Sequence, residues 1–250
     1  MSKGMFRLVG TLLLVLATAM PTWGESPLVA ELAAFFNRYH EDPPHLDVLR
    51  TGLHRAVATD PDLLNLLALA QVCFLWGDIR ATTVDQKLEA YDEGREAGQR
   101  AVEQARQNAL AHLWFAINAA RWAQTKGVLR SLFLLPTLKR EIATILDLDP
   151  ALAPAYALAG NVYYEVPPLF GGDLDTAERV FRQGLQLDPR FTGMRVGLAK
   201  TLIKERHLTE ARQELERVLT EKAPKNPADW TLKDSKAARL LLDAIDRRSS

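Results

Sequence analysis

The chain has 250 residues, 48% of them hydrophobic and 25% charged, with 31 basic side chains matched by 31 acidic ones. That is the make-up of a packed globular protein and excludes a disordered or fibrous chain. The even charge gives no support to a nucleic-acid partner, and a single cysteine excludes an internal disulfide.

The N-terminal residues stand apart from the rest. Lys3 and Arg7 introduce an apolar run, Leu8 to Ala19, broken only by Gly10, Thr11 and Thr18, and small residues then lead to Glu25. This is the form of a cleavable secretory signal over residues 1–24. The run falls short of the about 20 apolar residues that span a bilayer, and retention as a membrane anchor is the competing reading. No cysteine follows to carry a lipid. Export without disulfides fits a bacterial periplasm, where the cleaved chain is expected to be soluble.

Leu28–Tyr39 reads as a helix through Leu28, Leu32, Phe35 and Phe36, stopped by Asp42-Pro43-Pro44. A second helix runs from Leu46 to Asp60-Pro61 with Leu49, Leu53, Ala56 and Val57 on one face, completing a first repeat over 27–61. The second repeat, 62–108, opens on the almost wholly apolar stretch Leu63–Trp76, where Cys73 is expected as a buried, inert thiol. A long connection through Gly77-Asp78 and Val84–Leu88 leads to a helix whose small residues, Ala90, Gly94, Ala97, Ala101 and Ala105, allow close approach. The third repeat, 109–150, carries His112, Phe115 and Ala116, then Leu138, Ile142 and Ile145 before Asp149-Pro150. Trp114, Trp122 and Tyr163 are expected between helices, and His112 as a satisfied packing histidine.

The fourth, 151–189, has Tyr156, Ala159 and Gly160, then Ala177, Phe181 and Gly184 before Asp188-Pro189, with Asp175 and Glu178 read as a capping box. The fifth, 190–224, is the cleanest copy: Leu198, Ala199 and Leu202, then Ala211, Leu215 and Val218. Residues 231–248 are expected as a capping helix through Leu232, Ala237, Leu240, Leu241 and Ala244. No segment holds a strand period. Helix pairs of this kind cannot cover their own apolar faces, so the copies must stack into an all-α superhelix.

Two segments interrupt the pattern. Residues 125–136 and 166–172 make the third and fourth copies longer than the fifth by about ten and about five residues at the turn inside the pair, a position that projects from one face of a solenoid. They bring Val128, Leu129, Leu132, Phe133, Leu134, Leu135, Leu169 and Phe170 into turns that are ordinarily polar. These side chains either fold back as core, meet another subunit or a partner, or line a ligand cavity. On the inner wall the register directs Arg121, Asn161, Tyr164, Lys200 and Lys204 into the groove, as a clamp for a peptide carboxylate or as a solvated face. The five histidines lack zinc spacing, Gly171-Gly172-Asp173 lacks a phosphate-loop lysine, and no Gly-x-Ser-x-Gly occurs. No enzyme activity, metal or cofactor is therefore expected.

The pairs resemble tetratricopeptide repeats. Over about residues 60–219 a narrower resemblance rests on Ala111 to Ala116, Lys126 to Leu129 and Tyr163 to Asp173, which look like the T-component family of TRAP transporters. That resemblance implies a periplasmic accessory protein in a trimeric ring, associated with a substrate-binding protein and able to relay a hydrophobic small molecule. Two further expectations are a general periplasmic adaptor for peptides or proteins in envelope assembly, and a carrier with its own hydrophobic pocket.

Overall fold

The computed structural model describes residues 26–249. They form five helix pairs: α1 (Pro27–Phe35) and α2 (His45–Thr59), α3 (Leu63–Ile79) and α4 (Val84–Gln104), α5 (Ala109–Lys126) and α6 (Val128–Leu148), α7 (Ala153–Glu165) and α8 (Leu174–Leu187), α9 (Thr192–Lys204) and α10 (Leu208–Thr220). A terminal helix follows, and no strand occurs among the described residues. The fold is all-α, as the periodicity requires. The expected signal over 1–24 lies outside the described residues.

Short polar residues cap α3, α4, α5 and α8. Asp62 accepts from the Asn65 amide at 2.7 Å, Asn108 from Ala111 at 3.1 Å, and Thr83 and Gln86 form a complete capping box. The cap of α8 is Asp173, which accepts from Thr176 at 2.8 Å, and not the expected Asp175. Asp173 has extended backbone and can reach back to the third helical amide. Asp175 already lies in the first turn, where its charge favours the helix dipole. At the other end, α2, α6 and α8 stop at Asp60, Asp149 and Asp188, each followed by proline.

Two boundaries differ from expectation. α1 ends at Phe35, and the next six residues continue as turns that carry Tyr39 fully into the core. α3 runs on to Ile79, so only residues 80–83 join it to α4 where a long connection was expected.

The first helix of each pair touches the first helix of the next, α1 on α3, α3 on α5, α5 on α7 and α7 on α9, so these helices make one wall of the superhelix. Three apolar clusters follow in chain order, around α1–α3, then α5–α7, then α9–α10. Asn118 stitches the wall: it is fully buried and its amide donates at 2.9 Å to the Ala70 and Trp114 carbonyls. α4 and α5 approach so closely that a Cβ on Gly98 would lie 2.7 Å from the backbone of Phe115. Only glycine fits there, and Gly98→Val is expected to destabilise the second and third pairs together, read as loss of amide protection in both.

The extra residues of the third pair do not form a loop. They lengthen the helices: α6 has 21 residues against 13 in α7, so its first turns overhang the neighbouring pair by about 12 Å. The extra residues of the fourth pair fold into a 3-10 turn, Pro168–Phe170, closed by Gly172 donating to the Pro167 carbonyl at 3.2 Å.

The terminal helix starts earlier than expected. Asn226 caps a first turn, Pro227–Asp229, the backbone widens to π geometry over Trp230–Asp234, and α geometry resumes over Ser235–Ser249. Its later part lies on α10 and covers the last pair, with Ala238 and Ile245 buried. Its first part reaches the opposite end of the chain. Ala228 and Leu232 join the α1–α3 core, the Tyr39 hydroxyl donates to the Asp229 carboxylate, and Asn226 donates to the Phe36 carbonyl at 3.5 Å. Within the π turn, successive side chains diverge: Lys233 reaches Asp78 of α3 at 3.4 Å, while Asp234 accepts from Thr192 of α9 at 2.7 Å. The segment is therefore a strut between the first and last pairs rather than a simple end cap.

Candidate interaction surfaces

The five residues expected on the inner wall do not form one constellation. Arg121 donates to Asp78 at 2.7 Å and stacks over the Phe74 ring. Lys204 lies 3.6 Å over the Tyr164 ring and donates to the Tyr164 carbonyl at 3.1 Å, so those two do meet. Lys200 is half-buried on α9, near enough to Asp234 to act on its charge, and Asn161 is exposed on α7. A free row of cations for a carboxylate is not what these contacts make.

Charge gathers instead around Asp78, at the end of α3. Its carboxylate accepts from the Tyr91 hydroxyl at 2.7 Å and from Arg121, and faces Lys233. Burial pushes the carboxyl up, but Arg121, Lys233 and the Tyr91 bond outweigh it and hold Asp78 below the usual carboxylate range. Burial likewise opposes the Lys233 ammonium, yet Asp229 and Asp78 keep it above its ordinary value. The Tyr39 and Tyr91 hydroxyls are both driven up, first by burial and then by the acid each donates to. A cleft of about 330 Å³ opens beside this cluster, lined by Asp78, Lys87, Tyr91, Arg121, Gln124, Thr125 and Lys233. Sequence reasoning passed over Asp78, Tyr39 and Lys233. The available signal was an acid near the end of an almost wholly apolar helix and a lysine next to Leu232 in the last one.

The apolar insertions divide by position. Leu135 is buried, and Leu132 and Leu134 are half-buried. On the overhang Leu129 and Phe133 are 76% and 78% exposed, with Val128 beside them. Leu169 is 87% exposed and Phe170 is exposed as well, on a turn whose Gly171 carbonyl accepts from Lys139 of α6 at 3.3 Å. Lys139 lies six residues after Phe133, about 120° round α6 from it, and ties the 3-10 turn to that helix. From Lys126 to Arg140, both included, the chain has four cations and no acid, so the overhang is basic.

Cys73 is fully buried, and burial pushes its thiol well up, which makes it inert. His112 is buried and bonded on both ring nitrogens, to Glu141 at 2.6 Å and the Arg106 carbonyl at 3.0 Å.

Comparison with known proteins bears on what these surfaces serve. The fold is similar to that of a thermophilic tetratricopeptide-repeat protein from Thermus thermophilus, with a TM-score of 0.61 over 86% of this chain and 96% of that one, at 22% identity. A tetratricopeptide-repeat profile matches residues 171–234. Such repeats serve protein–protein interaction in general and are generally non-enzymatic. The chain is 29% identical over 101 residues to regulator of microtubule dynamics protein 3 of Xenopus laevis, a stretch that covers 40% of this chain and 22% of the relative's length.

These matches overturn the resemblance to TRAP transporter T-components. The stretch that suggested it, Tyr163 to Asp173, begins inside residues 30–170, which match the profile of regulator of microtubule dynamics proteins 1–3. With it go the periplasmic placement, the substrate-binding-protein partner, the trimeric ring and the ligand relay that the resemblance implied. A match over more than half of its length places the chain in the regulator of microtubule dynamics protein 1–3 family.

Proposed function

We propose that the protein is a non-catalytic scaffold that docks a protein partner on the exposed face formed by the α6 overhang and the Pro168–Phe170 turn. The observation that carries this is the exposure of Leu129, Phe133 and Leu169, each at least three-quarters open to water. Apolar side chains grouped in this way favour a partner that removes them from water, and about 25 cal/mol per Å² is gained for the area covered. The basic overhang selects for an acidic surface on the other side and speeds encounter. The inner wall is the weaker candidate, because the strut crosses it and Lys204 and Arg121 are already engaged.

The family's name makes the microtubule lattice the first partner to try. The full chain is sedimented with polymerised tubulin, alone and as the double variant Phe133→Glu, Leu169→Glu. Wild type is expected in the pellet and the variant in the supernatant, with unchanged unfolding because neither side chain is packed. Equal pelleting of the two would overturn this face as the contact. Failure of wild type to pellet would overturn the tubulin assignment.

A further inference from the structure

We infer that Glu178, Glu205 and His207 form a binding site for a borderline divalent transition-metal ion of the Zn²⁺ class, which clamps the fourth helix pair to the fifth. Glu178 projects from α8, Glu205 is the residue after α9, and His207 is the residue before α10. One ligand atom from each lies within 4.8 Å of the others, and His207 Nδ1 is 4.0 Å from Glu205 Oε2. Tetrahedral zinc with bonds of about 2.1 Å sets its ligand atoms roughly 3.4 Å apart, so closure needs a shift of an ångström or so. His207, 56% exposed, is free to make it.

The second observation is the state of Glu205. Its side chain is only 11% exposed, and both carboxylate oxygens are buried with no hydrogen-bond donor. A buried acid of this kind is costly unless something positive meets it. The group it faces is another carboxylate, Glu178, with Asp175 adding to the negative field. Arg182 does not relieve it: its guanidinium is spent on Glu178 Oε1 and on Glu210, both at 2.7 Å. Burial first, then Glu178, push the Glu205 carboxyl up to about 7, with His207 opposing. Two arrangements satisfy the pair, a proton held between the carboxylates or a cation bridging them. One imidazole nitrogen with two carboxylates suits zinc-class ions, whereas calcium and magnesium demand shells made wholly of oxygen.

The test is calorimetric titration of the chelator-treated full chain with Zn²⁺ in two buffers of different ionisation heat. One saturable site is expected, with proton release and a higher unfolding temperature. His207→Ala, an exposed change that leaves folding alone, should weaken binding by at least about tenfold, in line with losses at metal sites, and Glu205→Gln should abolish it. Absence of saturable binding, or binding indifferent to both variants, would overturn the site.

Discussion

Phe181→Ala is expected to cost about 3–5 kcal/mol, the range for large-to-small changes at buried aromatic positions. For a chain of this size that lowers the unfolding temperature by roughly 6–20 °C. Phe181 is completely buried on α8, and its ring occupies the space left by two glycines on the flanking wall helices. A Cβ added to Gly160 of α7 would sit 2.5 Å from the ring, and one on Gly197 of α9 would sit 2.6 Å away. Removing the ring therefore opens a void bounded by backbone on two sides, which no rotamer change can refill. Gly160→Ala is expected to be destabilising beside an intact Phe181 and to lose much of that effect when combined with Phe181→Ala, a coupling that a double-mutant cycle of denaturant midpoints measures. Independent, additive costs would show that the ring does not fill this space.

Asp78→Ala is the second large effect, at about 2–3 kcal/mol. Breaking a wholly buried ion pair by removing one partner costs about 3–5 kcal/mol. Here Asp78 itself is buried, but Arg121 and Lys233 keep 39% and 32% of their side-chain surface, so water screens part of the loss. What is left is Arg121 without its acid, Lys233 held by Asp229 alone, and a Tyr91 hydroxyl without its acceptor. The strut should loosen first, detected as faster proteolysis between Glu221 and Trp230 before any global unfolding. Restoring neutrality with Arg121→Met in the same chain should recover part of the loss. The sign with pH follows from the depressed carboxyl: the contribution of Asp78 is present above its ordinary pKa of 3.8 and disappears as pH falls through its lower folded value.

Much of the architecture was legible because the apolar residues recur at helical spacing and Asp-Pro marks the ends of three helices. Leu49, Leu53 and Val57, or Leu138, Ile142 and Ile145, declare their buried faces without help. Residues 125–136 were harder to read. A glycine and a proline suggested a loop, yet Gly127, at φ 107°, serves as the joint between two helices, and Pro136 is tolerated inside α6. The apolar character of the segment is plain in its sequence, while its division into buried Leu135 and exposed Phe133 depends on how far α7 extends, which is a property of the neighbour. The contacts made by Tyr39, Asp78 and Lys233 span 155 and 190 residues of chain. No local pattern encodes a pairing at that separation. The family, too, was misread, because short repeat-like stretches are shared widely among helical arrays and only the longer match distinguishes them.

The strut from Asn226 to Asp234 has a consequence for how this molecule could change over evolutionary time. An open array can gain or lose a unit at its ends with little penalty, because each unit answers only to its neighbours. Here the last turn is fastened to the first hairpin, so the circuit has a fixed circumference. Duplicating one pair would carry Asp229 and Lys233 away from Tyr39 and Asp78. The same closure ties the first pair to the last, so opening of the two should register together.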